Sequence, residues 1–134
     1  MMKNRPIHVA HKDNLEWTNK NSVEGKPLRF GYLVNDEDTG MFVRYYTYYA
    51  GTVTPPHTHH CSHGMYVISG TLHTNAGDYG PGSFVWFPEG TVGVHGATED
   101  ADLECIFITN KPFDITYEDP ELEKINKAMS APKK

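Results

Sequence analysis

Between Pro27 and Asn110, short runs of Val, Ile, Thr, Phe, Tyr and Trp follow one another, each broken by a cluster of Gly, Pro, Asn or Asp. Helical periodicity is missing from this stretch, and short apolar runs bounded by turn residues read as β-strands. The pattern predicts strands at Leu28–Val34, Met41–Ala50, Gly64–Ser69, Thr71–Asn75, Ser83–Phe87, Thr91–Gly96 and Leu103–Thr109. Turns fall at Asn35–Gly40, Ala76–Asp78 and Gly80–Gly82. A strand and turn about every ten residues predicts an all-β sandwich or barrel, because many short antiparallel strands must pack on a second sheet or close on themselves.

The two ends read differently. The amino-terminal residues are polar, with Ile7, Val9, Leu15 and Trp17 as scattered anchors, and predict a strand or arm laid over the barrel or over a neighbouring subunit. At the other end Asp119 can cap a helix, Pro120 suits its first position, and Leu122, Ile125 and Met129 share one face. This divides the chain into an arm (1–26), a β-domain (27–117), and a short helix with its tail (118–134). A length of 134 residues is enough for one hydrophobic core.

Charge narrows the partners. A formal net charge of -5, with no basic stripe, argues against nucleic acid, since neutralising phosphates needs a surplus of Lys and Arg. No apolar run of about 18 residues points to a membrane, and no apolar segment near Met1 reads as a secretory signal. With Cys61 and Cys105 as its only cysteines, the chain is expected to be cytoplasmic with reduced thiols.

The histidines carry the chemistry. His57, His59, His60 and His63 fall within seven residues, just after Pro55-Pro56. Proline keeps this segment out of helix, and in an extended chain residues two apart point to one side, so His57 and His59 can reach one ion while His60 points away. On continued alternation His63 returns to the His57 side. The best third ligand on a neighbouring strand is His95, which shares its face with Gly93 and opposes Val92 and Val94. Imidazole suits Fe, Ni, Cu, Mn or Zn, and three such ligands with room beside them describe an open, catalytic type of site. His8, His11 and His73 read as surface residues.

Other lining residues follow from alternation. Arg44, Tyr46 and Tyr48 share one strand face and Tyr45 and Tyr49 the other, while Phe84 and Trp86 oppose Val85 and Phe87. Arg44, Tyr46, Cys61, Trp86 and Glu89 are candidate pocket residues. Each has a plainer alternative: Arg44 as a solvated strand residue, Glu89 as a turn residue, Cys61 as a small core hydrophobe.

Gly51-x5-His57-x-His59-x3-His63-x6-Gly70 resembles the first cupin motif, with His63 standing where that family places Glu. Gly82-x5-Pro88-x-Gly90 resembles the start of the second, with Gly93 in the usual His position and His95 two residues later. Trp17, Lys26-Pro27-Leu28, Gly64-Met65-Tyr66-Val67-Ile68-Ser69-Gly70 and Gly80-Pro81-Gly82-Ser83-Phe84-Val85 look most like the group of ChrR-like cupin domains, acetylacetone-cleaving dioxygenase and dihydroxyacetophenone dioxygenase. The resemblance implies a double-stranded β-helix, or jelly-roll barrel, and a homodimer. It implies a divalent metal, with Fe(II) first and Zn, Ni or Mn next, on His57, His59, His63 and His95. It also implies a dioxygenase acting on a small anionic or enolisable substrate such as a diketone or hydroxyketone, with no catalytic group beyond the ligands. A non-catalytic zinc sensor and a metal-dependent isomerase or lyase are the alternatives.

Overall fold

The computed structural model describes residues 5–130. Among the described residues a short 3-10 helix (Lys12–Asn14) precedes eleven strands and one α-helix, in chain order: β1 (Thr18–Asn21), β2 (Pro27–Asn35), β3 (Phe42–Tyr48), β4 (Val53–Thr58), β5 (His63–Ser69), β6 (Leu72–Thr74), β7 (Gly77–Tyr79), β8 (Phe84–Phe87), β9 (Gly93–Ala97), β10 (Leu103–Thr109), β11 (Thr116–Tyr117) and α1 (Pro120–Ser130). They form two antiparallel sheets, β1-β2-β3-β10-β5-β8 and β11-β4-β9-β6-β7. Chain neighbours β4 and β5 lie in different sheets, so the chain crosses between layers just where the histidines cluster.

Alternation decides what fills the space between the layers. In β10, Leu103, Cys105, Phe107 and Thr109 are buried while the residues between them are not, the period-2 pattern of a strand with one face on the core. Tyr46 and Tyr48 of β3, Met65 and Val67 of β5, and Leu72 of β6 join Phe107 there. The β5–β6 turn needs Gly70: its φ is +80°, and a Cβ would stand 2.1 Å from the Asp102 carbonyl oxygen.

The arm lies against its own sheet. β1 pairs with β2, the Trp17 ring meets Tyr45 edge-on at 5.7 Å, and the Arg29 guanidinium stacks over Trp17. Ile7 and Val9 stay exposed. At the other end Asp119 accepts a hydrogen bond from the Glu121 amide at 2.9 Å and caps α1 as expected. No helix among the described residues is long and apolar enough to cross a membrane.

Candidate metal centre

His57, His59 and His95 converge. One nitrogen from each lies within 4.8 Å of the others, and all three residues are buried. The convergence depends on an irregularity in β4. Thr54 stands opposite His95 and His57 opposite Gly93, so three steps on β4 match two on β9 across Pro55-Pro56. This bulge turns both Thr54 and His57 inward, where regular alternation would part them. It also faces His57 with a glycine, and His95, two residues along, reaches the same space.

Backbone carbonyls fix the rings. A carbonyl can only accept, so His57 Nδ1 must donate its proton to Pro55 O (2.6 Å), and His59 Nδ1 must donate to Asp114 O. In both rings this leaves Nε2 as the lone-pair atom. His57 Nε2 lies 3.0 Å from His95 Nε2, and His95 Nδ1 lies 3.3 Å from the Tyr48 hydroxyl. With metal–nitrogen bonds of about 2.1 Å, neighbouring ligands at a right angle stand about 3 Å apart. The His57–His95 spacing fits that arrangement. His59 Nε2 is buried with no hydrogen-bond partner, a cost that a cation removes. The donor set therefore fits a divalent ion, with Pro55, Asp114 and Tyr48 orienting the ligands.

His63 lies beside this trio, its ring 4.7 Å from His59 and 5.5 Å from His95. It is clamped between the parallel faces of Phe87 and Phe107, each 4.6 Å away. Both its nitrogens are buried without a partner.

Burial sets the protonation. It pushes His57 down to about 4 and His63 to about 3, from a usual 6.5, with neighbouring imidazoles adding to the shift. His59 and His95 move the same way, chiefly by desolvation. Neutral imidazoles are what a metal requires. When the chain unfolds these rings regain ordinary values, so below about 6.5 the unfolded state binds more protons than the folded one. Stability of the metal-free protein is then fully present above that pH and is lost progressively as pH falls toward about 3. Thermal scans of metal-free protein should show the melting temperature dropping steadily from pH 7 to pH 4. An unchanged melting temperature across that range would mean these rings are not desolvated.

A pocket of about 90 Å³ opens beside His59 and His95 of the trio. It is lined by His59, His95, Tyr48, Tyr46, Phe107 and Phe113, with Lys20, Arg44, Asn126 and Met129 also on its wall. Two of the expected pocket residues, Arg44 and Tyr46, are there. The other three lie off its wall, Glu89 and Cys61 in the plainer roles the sequence also allows. Trp86 is half-exposed on the outer face, across from Gly64, because in β8 it is Val85 and Phe87 that point inward. Glu89 pairs with Lys111 at the surface, at 2.5 Å. Cys61 is buried away from the pocket wall, because the chain bends after His59 and breaks the alternation. Burial pushes its thiol up to about 11, which leaves it inert.

Asp114, Tyr48 and Lys20 are contributors that sequence reasoning did not single out. Asp114 acts through its backbone carbonyl, which leaves no trace in residue type. Its carboxylate holds the neighbouring His60 through both the amide (2.8 Å) and the ring, so His60 does point away from the trio. Tyr48 was legible as a residue sharing a face with Arg44 and Tyr46.

Comparison with known proteins yields a family. The model of the ChrR cupin-like domain matches residues 6–114. No curated protein matches the chain. Among solved structures, the anti-sigma ChrR of Rhodobacter sphaeroides, in complex with SigE, superposes with a TM-score of 0.61 at 18% identity. That match covers 74% of this chain but 51% of the other, so the chain spans about half of that relative's length. The polyketide cyclase RemF of Streptomyces resistomycificus superposes at 0.69 with 15% identity, covering 98% of this chain and 95% of RemF. A proposed acetylacetone dioxygenase of Methylibium petroleiphilum PM1 reaches 0.71 at 12% identity, covering 98% of this chain and all of the other. At such identities the superpositions establish the fold alone.

Proposed function

The chain belongs to the ChrR cupin-like family, and on that premise we propose that it is a non-haem, Fe(II)-dependent dioxygenase that cleaves a carbon–carbon bond of a small diketone or hydroxyketone. In this reading the two sheets close as a jelly-roll barrel and the pocket is its lumen. The observation that carries it is the set of three neutral imidazoles with no carboxylate, two of which, His59 and His95, line a small pocket with aromatic walls. Such a set leaves the full double charge of a divalent ion to be balanced by an anionic, bidentate ligand such as an enolate. Fe(II) held there supplies the reaction with O2.

The chain's own residues bind and orient. His57, His59 and His95 hold the ion, and His63 is placed to join as a fourth ligand. The Tyr48 hydroxyl oxygen accepts a hydrogen bond from His95 Nδ1–H, which leaves the other nitrogen free to ligate. Burial holds the Tyr48 hydroxyl well above its usual pKa, so it stays protonated and neutral. Phe107 and Phe113 exclude water from the pocket wall. A second reading rests on the family match itself, since one solved relative is an anti-sigma protein: a zinc-bound, non-catalytic module.

Protein loaded anaerobically with Fe(II), Zn, Ni or Mn separates the two. With 2,4-pentanedione, uptake of one O2 per diketone consumed, and only in the Fe(II) form, is the expected result. Tightly retained zinc and no uptake in any form would leave the sensor reading.

A further inference from the structure

The pocket's charge is one-sided. In a protein of net charge -5, the residues lining it include Lys20 and Arg44 and no carboxylate. Neither cation forms an ion pair among the described residues. Arg44 is held rigidly. Its guanidinium carbon lies 4.1 Å from the Phe30 ring and 3.9 Å from Phe42, and its terminal nitrogens donate to Tyr46 Oη at 2.8 Å and Tyr32 Oη at 2.7 Å. The Arg44 Nε is buried with no partner. Two phenols are neutral acceptors, so the charge itself stays unbalanced. Lys20 stands at the exposed rim on β1 and lines the same pocket as Arg44.

Placement relates these cations to the histidines. The Phe113 ring lies 4.7 Å from His59 and 5.5 Å from the Arg44 guanidinium carbon, so one aromatic ring separates the cation from a candidate ligand. A half-buried, preorganised guanidinium with free donor capacity suits a carboxylate. We propose that the substrate carries a permanent carboxylate, held by Arg44 and Lys20, at the end opposite the oxygens that meet the metal. The preferred class is then a small diketo or hydroxyketo acid and not a neutral diketone. This rests on reading the pocket as a substrate pocket, but not on the oxygen chemistry.

Two ligands that differ only in that group test it: 2,4-heptanedione, and 4,6-dioxoheptanoate, in which the terminal methyl of the propyl arm becomes a carboxylate held two methylenes away from the diketone. Their affinities for the Ni(II)-loaded full chain are measured by titration calorimetry under nitrogen. The carboxylate should bind at least about tenfold tighter, and in Arg44→Gln and Lys20→Met the ratio should fall toward one. Lys20 sits on the exposed rim, so its variant folds even if loss of Arg44 disturbs the sheet. Acetate and inorganic phosphate as competitors identify the anion, and acetate should compete. A wild-type ratio near one, no binding of either ligand, a ratio preserved in both variants, or competition by phosphate alone would each overturn the proposal. Oxygen uptake failing while the ratio holds would sink the dioxygenase and leave the carboxylate site standing.

Discussion

Replacing His57 by Ala should weaken binding of divalent metal by about a hundredfold or more while both sheets stay folded. Structural zinc sites with four ligands are worth roughly 10–16 kcal/mol, or about 3 kcal/mol per ligand, and each 1.4 kcal/mol is tenfold in affinity. The loss is not made good locally: the facing residue on β9 is Gly93, which has no side chain to offer. The fold tolerates the change better than the site does. Ala leaves the Pro55 carbonyl without its donor, at a cost of about 1–3 kcal/mol, but it also removes a desolvated imidazole. Elemental analysis and calorimetry read the metal, and circular dichroism reads the fold. His60→Ala is the matched control, because that ring is exposed and turned toward Asp114; it should keep its metal. Full metal content in the His57 variant would mean the ion sits elsewhere.

The same residues illustrate how far the sequence could be read. Where one face of a strand is buried, alternation is visible, and β10 is predicted with both its ends in place, Leu103–Thr109. α1 is legible because Asp119 and Pro120 are local signals that need no tertiary context. β1 is exposed at all four positions and β11 is two residues long, so neither has a periodicity to detect. β4 hides behind Pro55-Pro56, which sit in the irregular part of its pairing with β9. At the site, residue type and spacing suffice for His57, His59 and His95. Alternation sorts Phe84 and Trp86 from Val85 and Phe87 but carries no sign, so which pair faces inward is settled only by packing. Pairing of β5 with β8 lays Phe84 and Trp86 over Gly64 on the outside: a Cβ there would meet the Phe84 ring at 2.4 Å. Parity fails at Cys61 for a different reason, since a bend resets it. His63 reaches the cluster as the first residue of β5, not by continuing the run from His57.

Phe107→Ala should be the most damaging single change to stability, at about 3–5 kcal/mol, the usual range for emptying a fully buried phenylalanine site. Its ring is 1% exposed. It packs on Tyr46 at 5.2 Å, Phe113 at 5.9 Å, Phe42 at 6.0 Å and, face to face, on His63 at 4.6 Å. The cavity cannot collapse cheaply, because the neighbours are aromatic rings and imidazoles fixed from both sheets. One wall of the space would be His63, whose nitrogens have no partners, so water entering there would find an acceptor and hydrate it. Hydration should move the His63 pKa up from about 3 toward its ordinary value, a shift that NMR titration of the imidazole protons can follow. Metal affinity should fall less than in His57→Ala, since Phe107 supports the rings without ligating. Phe107→Leu, which keeps most of the volume, should cost less and remain folded if the alanine variant does not. Phe84→Ala, on the exposed outer face, should change stability by no more than about 0.5 kcal/mol. Denaturant unfolding measures all three, and a loss below about 1 kcal/mol for Phe107→Ala would mean that this ring does not join the two sheets around the histidines.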